Sequence, residues 1–252
     1  MPTQIGLYPA LTRMVYRGDV KPGPIVSTRN VHVPGLVETD DLGFEEKVRQ
    51  EGDFKEFTGG LQPALALGHT VVNYTEEREP TSKFDVSRHQ KGSTITSVTG
   101  QLAWNSLDDR GYFTIDTEGT KGFVGFGSGK TFRLGEITIK PDNLFCVIFV
   151  TATEPDKSIA ESKRLLVAVA TRIKNTGMKF NEDRKVLTSR GKNPILVEPV
   201  HVTIKLARMG NPTIRLLDHD GRITNRMVAV RDGEFEIDGS SHKTMCYEIT
   251  YE

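Results

Sequence analysis

From about residue 65 onward the chain repeats one pattern. A short run rich in Val, Ile, Thr, Phe and Tyr is followed by Gly, Asp, Asn or Pro, and then by another such run. The runs begin with ALALGHTVVNYT and STITSVTGQLAW and end with GEFEIDG and KTMCYEITYE. EFEID and YEITYE alternate apolar and polar residues, as strands with one wet face do. LFCVIFV and LLVAVA are apolar throughout, as strands covered on both faces are. Many short strands with little helical periodicity between them predict an all-β fold over residues 65–252, a β-sandwich or jelly roll, and not an α/β fold.

Residues 1–64 are different. GDVKPGPIVSTRNVHVPGL is dense in Pro and Gly, and LGFEEKVRQEGDFKEF (42–57) supports at most one short, acidic helix. This region is read as an extended wrapping or linker segment without a core of its own. One long polar stretch, Lys174 to Pro194, interrupts the strands. A loop of that length in a compact domain is unusual and often functional.

Lys+Arg and Asp+Glu both number 33, so the formal net charge is zero. That leaves no global field to draw the chain onto nucleic acid or an anionic membrane, and neither is expected as a partner. The longest apolar run, Leu144 to Val150, is too short to span a bilayer, and the N-terminus lacks the layout of a signal peptide. The two cysteines, Cys146 and Cys246, lie in strand-like runs and read as reduced core thiols, with one disulfide between neighbouring strands as the alternative.

GFVGFGSGKT, Gly122 to Thr131, ends like a phosphate-binding P-loop. The first Gly of that motif would fall at residue 124, which is Val, and the residues after Thr131 alternate like a strand. A turn between strands fits better, with Lys130 solvated. Six histidines form neither HxH nor HExxH, so zinc is not signalled. DHDG (Asp218 to Gly221) reads as a turn. A structural calcium there is the one cofactor the sequence leaves room for. Carboxylates at Asp116, Glu118, Glu198, Asp218 and Asp220 supply material for acid–base chemistry, but a sequence cannot show that two of them meet.

Trp104 is the only tryptophan, in QLAWNSLDDRGYFTID. Flat aromatics flanked by polar groups stack on sugar rings, so Trp104, Tyr112 and Asp116 form the candidate carbohydrate-binding set. The competing reading places Trp104 in the core. No residue is singled out as catalytic.

LTRMVYRGDVKPG resembles the segment that follows the catalytic barrel in large bacterial polysaccharide-degrading glycoside hydrolases of the agarase and β-galactosidase-like sort. WNSLDDRGYFTIDTEGTKGFVGF, SKRLLVAVATRIKNTG and ILVEPVHVTIKL resemble the C-terminal β-sandwich region of the same proteins. The resemblance implies a non-catalytic accessory region that braces an upstream catalytic barrel, binds polysaccharide, or both, in a secreted or periplasmic parent. Two alternatives stand beside it. One is a self-contained β-sandwich enzyme acting on polysaccharide, with Glu198 as its acid. The other is a module that binds protein.

Overall fold

The structure is a computed structural model that describes residues 2–34, 66–80, 85–106, 110–183 and 185–251. Contacts gather into a smaller unit, Lys21–Asp109, and a larger one, Met1–Val20 with Arg110–Glu252. The expected break at residue 64 does not coincide with this division. The reason is pairing: β1 (Ile25–His32) lies parallel to β2 (His69–Thr75), which joins residues on both sides of 64. The expected helix over 42–57 lies outside the described residues.

The smaller unit also holds β3 (Gln90–Lys91), β4 (Thr94–Thr96) and β5 (Leu102–Asn105), an antiparallel set. Asn105, buried, donates from Nδ2 to the Ser93 and Thr94 hydroxyls at 3.0 and 2.8 Å, which fixes the register of β4 on β5.

The larger unit opens with helix α1 (Pro2–Tyr16), where the sequence suggested extended chain. Pro9 inside the helix, on its exposed side, is why the pattern reads against a helix. Then come β6 (Tyr112–Asp116), β7 (Thr120–Phe126), β8 (Phe132–Leu134), β9 (Ile137–Pro141), β10 (Phe145–Ala152) and β11 (Arg164–Ala170). Four strands of an arm follow: β12 (Ile173–Thr176), β13 (Lys179–Phe180), β14 (Leu187–Ser189) and β15 (Lys192–Val197). The chain ends with β16 (His201–Leu206), β17 (Pro212–Leu217), β18 (Ile223–Val228), β19 (Val230–Arg231), β20 (Glu234–Asp238), the single-turn helix α2 (Gly239–His242) and β21 (Cys246–Tyr251). Every one of the predicted strand runs contains a strand.

In this unit one sheet runs β18-β17-β21-β11-β10-β7-β6 and a second runs β19-β20-β16-β9-β8. Neighbouring strands within each are antiparallel. Their inner faces share one core, and the period of two is visible in it. Ile148 and Val150 on β10, Val167 and Val169 on β11, and Tyr247 and Ile249 on β21 meet Ile137 and Ile139 on β9, Val202 and Ile204 on β16, and Phe235 and Ile237 on β20. That arrangement is a β-sandwich, as the alternation predicts.

The opposite face of β10 and β11 is buried too, at Phe149, Thr151, Leu166, Ala168 and Ala170. Helix α1 packs on both strands. Ala10 is fully buried, and the small Ala168 and Ala170 let the helix axis come close. The apolar runs LFCVIFV and LLVAVA are therefore covered on both sides, and the N-terminal helix is the second cover.

Arg17 fastens the end of α1. Its Nη1 donates to the carbonyls of Ala152 and Glu154 at 2.8 and 2.7 Å, and its Nη2 to that of Lys157 at 2.5 Å. Its Nε pairs with Asp19 Oδ1 at 3.1 Å, and Asp19 Oδ2 accepts the Thr120 hydroxyl at 2.7 Å. Among the described residues no helix is long and apolar enough to cross a membrane.

Candidate functional site

The polar stretch 174–194, expected as a loop, is most of a β-arm. Strand β12 pairs with β15, and β13 with β14, and neither pair joins another sheet. Gly191 has φ +66°, and a Cβ there would press on the Thr176 carbonyl, so this turn requires glycine. The base of the arm is tied by an ion pair. Arg172 Nε and Nη2 meet Glu198 Oε2 and Oε1 at 2.8 and 2.9 Å, the two-pronged geometry that guanidinium favours. Asn143 secures the return strand, donating to the Pro199 carbonyl at 2.9 Å and accepting from the His201 amide at 2.6 Å.

The hydrogen bond from Arg172 holds the Glu198 carboxyl below the usual carboxylate range. A carboxylate held that way stays ionised at neutral pH. That suits an anchor, not the general acid that an enzyme with Glu198 at its centre would need.

The arm's side chains are unusual for a free surface. Every residue of β15 is exposed, and Ile195, Leu196 and Val197 are consecutive, so apolar groups face both sides of the ribbon. Phe180, Val186, Leu187, Ile195, Leu196 and Val197 are each 43–57% exposed. Met178, Phe180, Leu196 and Val197 border a groove of about 670 Å³ that reaches down to Arg172 and Glu198. Residues 172–198 carry seven basic and three acidic side chains, a net of +4 in a chain whose overall charge is zero. The arm thus combines apolar faces with a basic rim.

The sequence-predicted sugar site falls on both units. Trp104 is half-buried on β5 of the smaller unit, opposite Ile95. Tyr112 and Asp116 are at the two ends of β6 in the larger unit. The Tyr112 ring packs edge-on against Phe132 at 4.9 Å and against the core, and the Lys130 ammonium sits 5.2 Å from its centroid. Lys130 is thus placed over an aromatic face rather than only in solvent. Asp116 accepts from Lys121 Nζ at 2.7 Å, and Lys121, whose side chain is 6% exposed, also pairs with Glu136 at 3.5 Å.

GFVGFGSGKT forms most of β7 and the turn that leads into β8, with Gly129 at φ +74°. No helix comes after it to hold a phosphate, so the turn reading stands. Asp218 Oδ1 accepts the backbone amides of Asp220 and Arg222 at 2.9 and 2.8 Å, so DHDG is a turn closed by its own aspartate. Among the described residues no group of three or more His, Cys, Asp or Glu side chains is placed to hold a metal ion. Both cysteines are free thiols.

One constellation escaped the sequence reading. His201 and Asp238 are direct cross-strand partners on β16 and β20, and Ser240 and Ser241 come next on α2. The residues are far apart in the chain, and only the register of β16 on β20 unites them. No family model matches the chain, and neither a curated protein nor a solved structure matches it.

Proposed function

We propose that the chain is a protein-interaction module that grips another protein chain with the β-arm over residues 172–198. The carrying observation is the set of six apolar side chains on that arm, each 43–57% exposed and lying on both faces of a ribbon. Soluble domains rarely leave such a patch open unless it meets a partner. The basic excess around it sets the partner's chemistry: an apolar surface edged with carboxylates. Completing the burial of six half-exposed side chains contributes about 1 kcal/mol apiece, about 6 kcal/mol together. That is comparable with the low end of the cost of association, so the arm supports a reversible contact rather than a permanent one.

The test compares proteins captured from source lysate by the wild-type chain and by a Phe180→Ser/Leu187→Ser/Leu196→Ser variant. A specific protein retained by the first and lost by the second supports the reading. Identical capture by both refutes it.

The accessory polysaccharide-binding reading is supported by the sequence resemblance and by the half-buried Trp104. Its test is retardation in polysaccharide-containing gels: Trp104→Ala should abolish the retardation, and a mobility indifferent to polysaccharide rules the reading out.

A further inference from the structure

A second kind of chemistry is built where β16 pairs with β20. His201 is half-exposed on β16, and its Nδ1 lies 3.4 Å from Asp238 Oδ1. Its Nε2 lies 3.3 Å from Ser240 Oγ. One ring nitrogen faces a carboxylate and the other a hydroxyl, which is the relation a nucleophile, a base and an orienting acid require. The Asp238 carboxyl is held below its usual range, first by the Ser241 hydroxyl at 2.5 Å and also by backbone amides of α2. It is therefore ionised. It favours the imidazole tautomer with the proton on Nδ1, leaving Nε2 to accept the Ser240 proton.

The short helix that carries Ser240 is fixed from outside. Arg226 donates to the carbonyls of Ser241 and His242 at 2.8 Å each, and His242 Nδ1 lies 3.1 Å from the buried Tyr247 hydroxyl. Asp238 and Ser241 border a cavity of about 540 Å³ whose wall is mainly polar, with Thr203, Arg231, Glu234 and Glu236 beside Met227 and Val228. Ser240 itself is exposed, so an acyl donor can reach it.

We propose that Ser240 is a nucleophile activated by His201, with Asp238 as the positioning residue, and that the site accepts acyl groups from small carboxylic esters that reach the exposed Ser240 hydroxyl from solvent. In the first step the Ser240 Oγ–acyl carbon bond forms and the ester C–O bond breaks. The serine proton passes to His201 Nε2 and then to the departing alkoxide. In the second step water, giving its proton to the same nitrogen, attacks the acyl-serine. A carboxylic acid leaves and the Ser240 hydroxyl is restored. No cofactor is needed.

The test is covalent labelling of the full chain with a fluorophosphonate, located by peptide mass spectrometry. Labelling is the first readout because it needs only the activated nucleophile: the Ser240 Oγ–P bond forms, the P–F bond breaks and fluoride leaves. The expected result is one adduct on Ser240, none in Ser240→Ala, and a rate lowered by roughly 100-fold in His201→Gln, the usual weight of a general base. Asp238→Asn should slow labelling and remove the downfield proton resonance of His201 Nδ1–H, a signature that a merely structural loss would not single out. If Ser240→Ala does not fold, Ser240→Cys serves instead: its alkylation by iodoacetamide should depend on His201. An unlabelled protein, an adduct on another serine, or a Ser240 adduct whose rate ignores His201 would overturn the proposal.

Discussion

Replacing Arg17 by alanine tests what holds the sandwich's second cover in place. The Arg17 side chain is 10% exposed and that of Asp19 6% exposed. Together they tie the end of α1 to the carbonyls of Ala152, Glu154 and Lys157 and, through Thr120, to β7. Alanine would take away a charged donor from three carbonyls and leave the Asp19 carboxylate without its guanidinium. Removing one partner of a buried pair costs about 3–5 kcal/mol. For a unit of this size each kcal/mol lowers the thermal midpoint by about 2–4 °C, so a fall of about 6–20 °C is expected. Arg17→Lys should recover only part of it, because an ammonium cannot serve all the acceptors that the planar guanidinium reaches. The assay is scanning calorimetry paired with hydrogen exchange. Exchange should rise in α1 and at residues 166–170, the strand face it covers, before it rises in the shared core. A midpoint lowered by less than about 2 °C, with unchanged exchange in α1, would refute the clamp.

Ion pairs and buried thiols give three more expected outcomes. Lys121→Ala leaves the partly solvated Asp116 and Glu136 without their shared cation and should cost about 1–3 kcal/mol in chemical denaturation, whereas a loss below about 0.5 kcal/mol would show that the pair is not structural. The Glu198 carboxyl titrates lower when folded than its ordinary 4.5, so its anchoring of the arm is fully present above that value and is lost as pH falls through the depressed one. Hydrogen exchange in 172–198 should rise on acidification below about 4.5, and Glu198→Gln should show the raised exchange already at pH 7. Burial pushes the Cys146 thiol up to about 12 and raises that of the partly buried Cys246 as well, so in the native protein at pH 8 Cys146 should not react with a disulfide reagent and Cys246 should react slowly, and both should react promptly on unfolding. Prompt reaction of Cys146 in the native state would contradict the burial.

The strands were legible because alternation is a local property. GEFEIDG shows its wet face in the sequence, and β20 displays Phe235 and Ile237 inward with Glu236 outward. The continuous runs LFCVIFV and LLVAVA announced two covered faces, but not the identity of the second cover. That cover, α1, carries Pro9 in its interior, and its helical state depends on Arg17 and on the packing of Ala10. The arm was hidden for a related reason. Its strands are short and exposed, with apolar residues on both faces, so no period survives, and the clearest sequence trace was the apolar ILV after Pro194. His201, Asp238 and Ser240 were unreadable in principle, since their meeting depends on which residue of β16 faces which of β20. Of the residues expected to bind sugar, Tyr112 and Asp116 had a local signal but acquired core and ion-pair contacts that only packing reveals.

The most direct test of the interaction reading places a photo-crosslinking amino acid at Leu187, on the exposed β14, and the same group at the exposed Asp220 turn as reference. Illumination in source lysate should give a discrete cross-linked protein species from position 187 and not from 220, and Phe180→Ser should suppress it. Equal, diffuse cross-linking from both positions, or none from either, would contradict the account of the arm as a gripping surface.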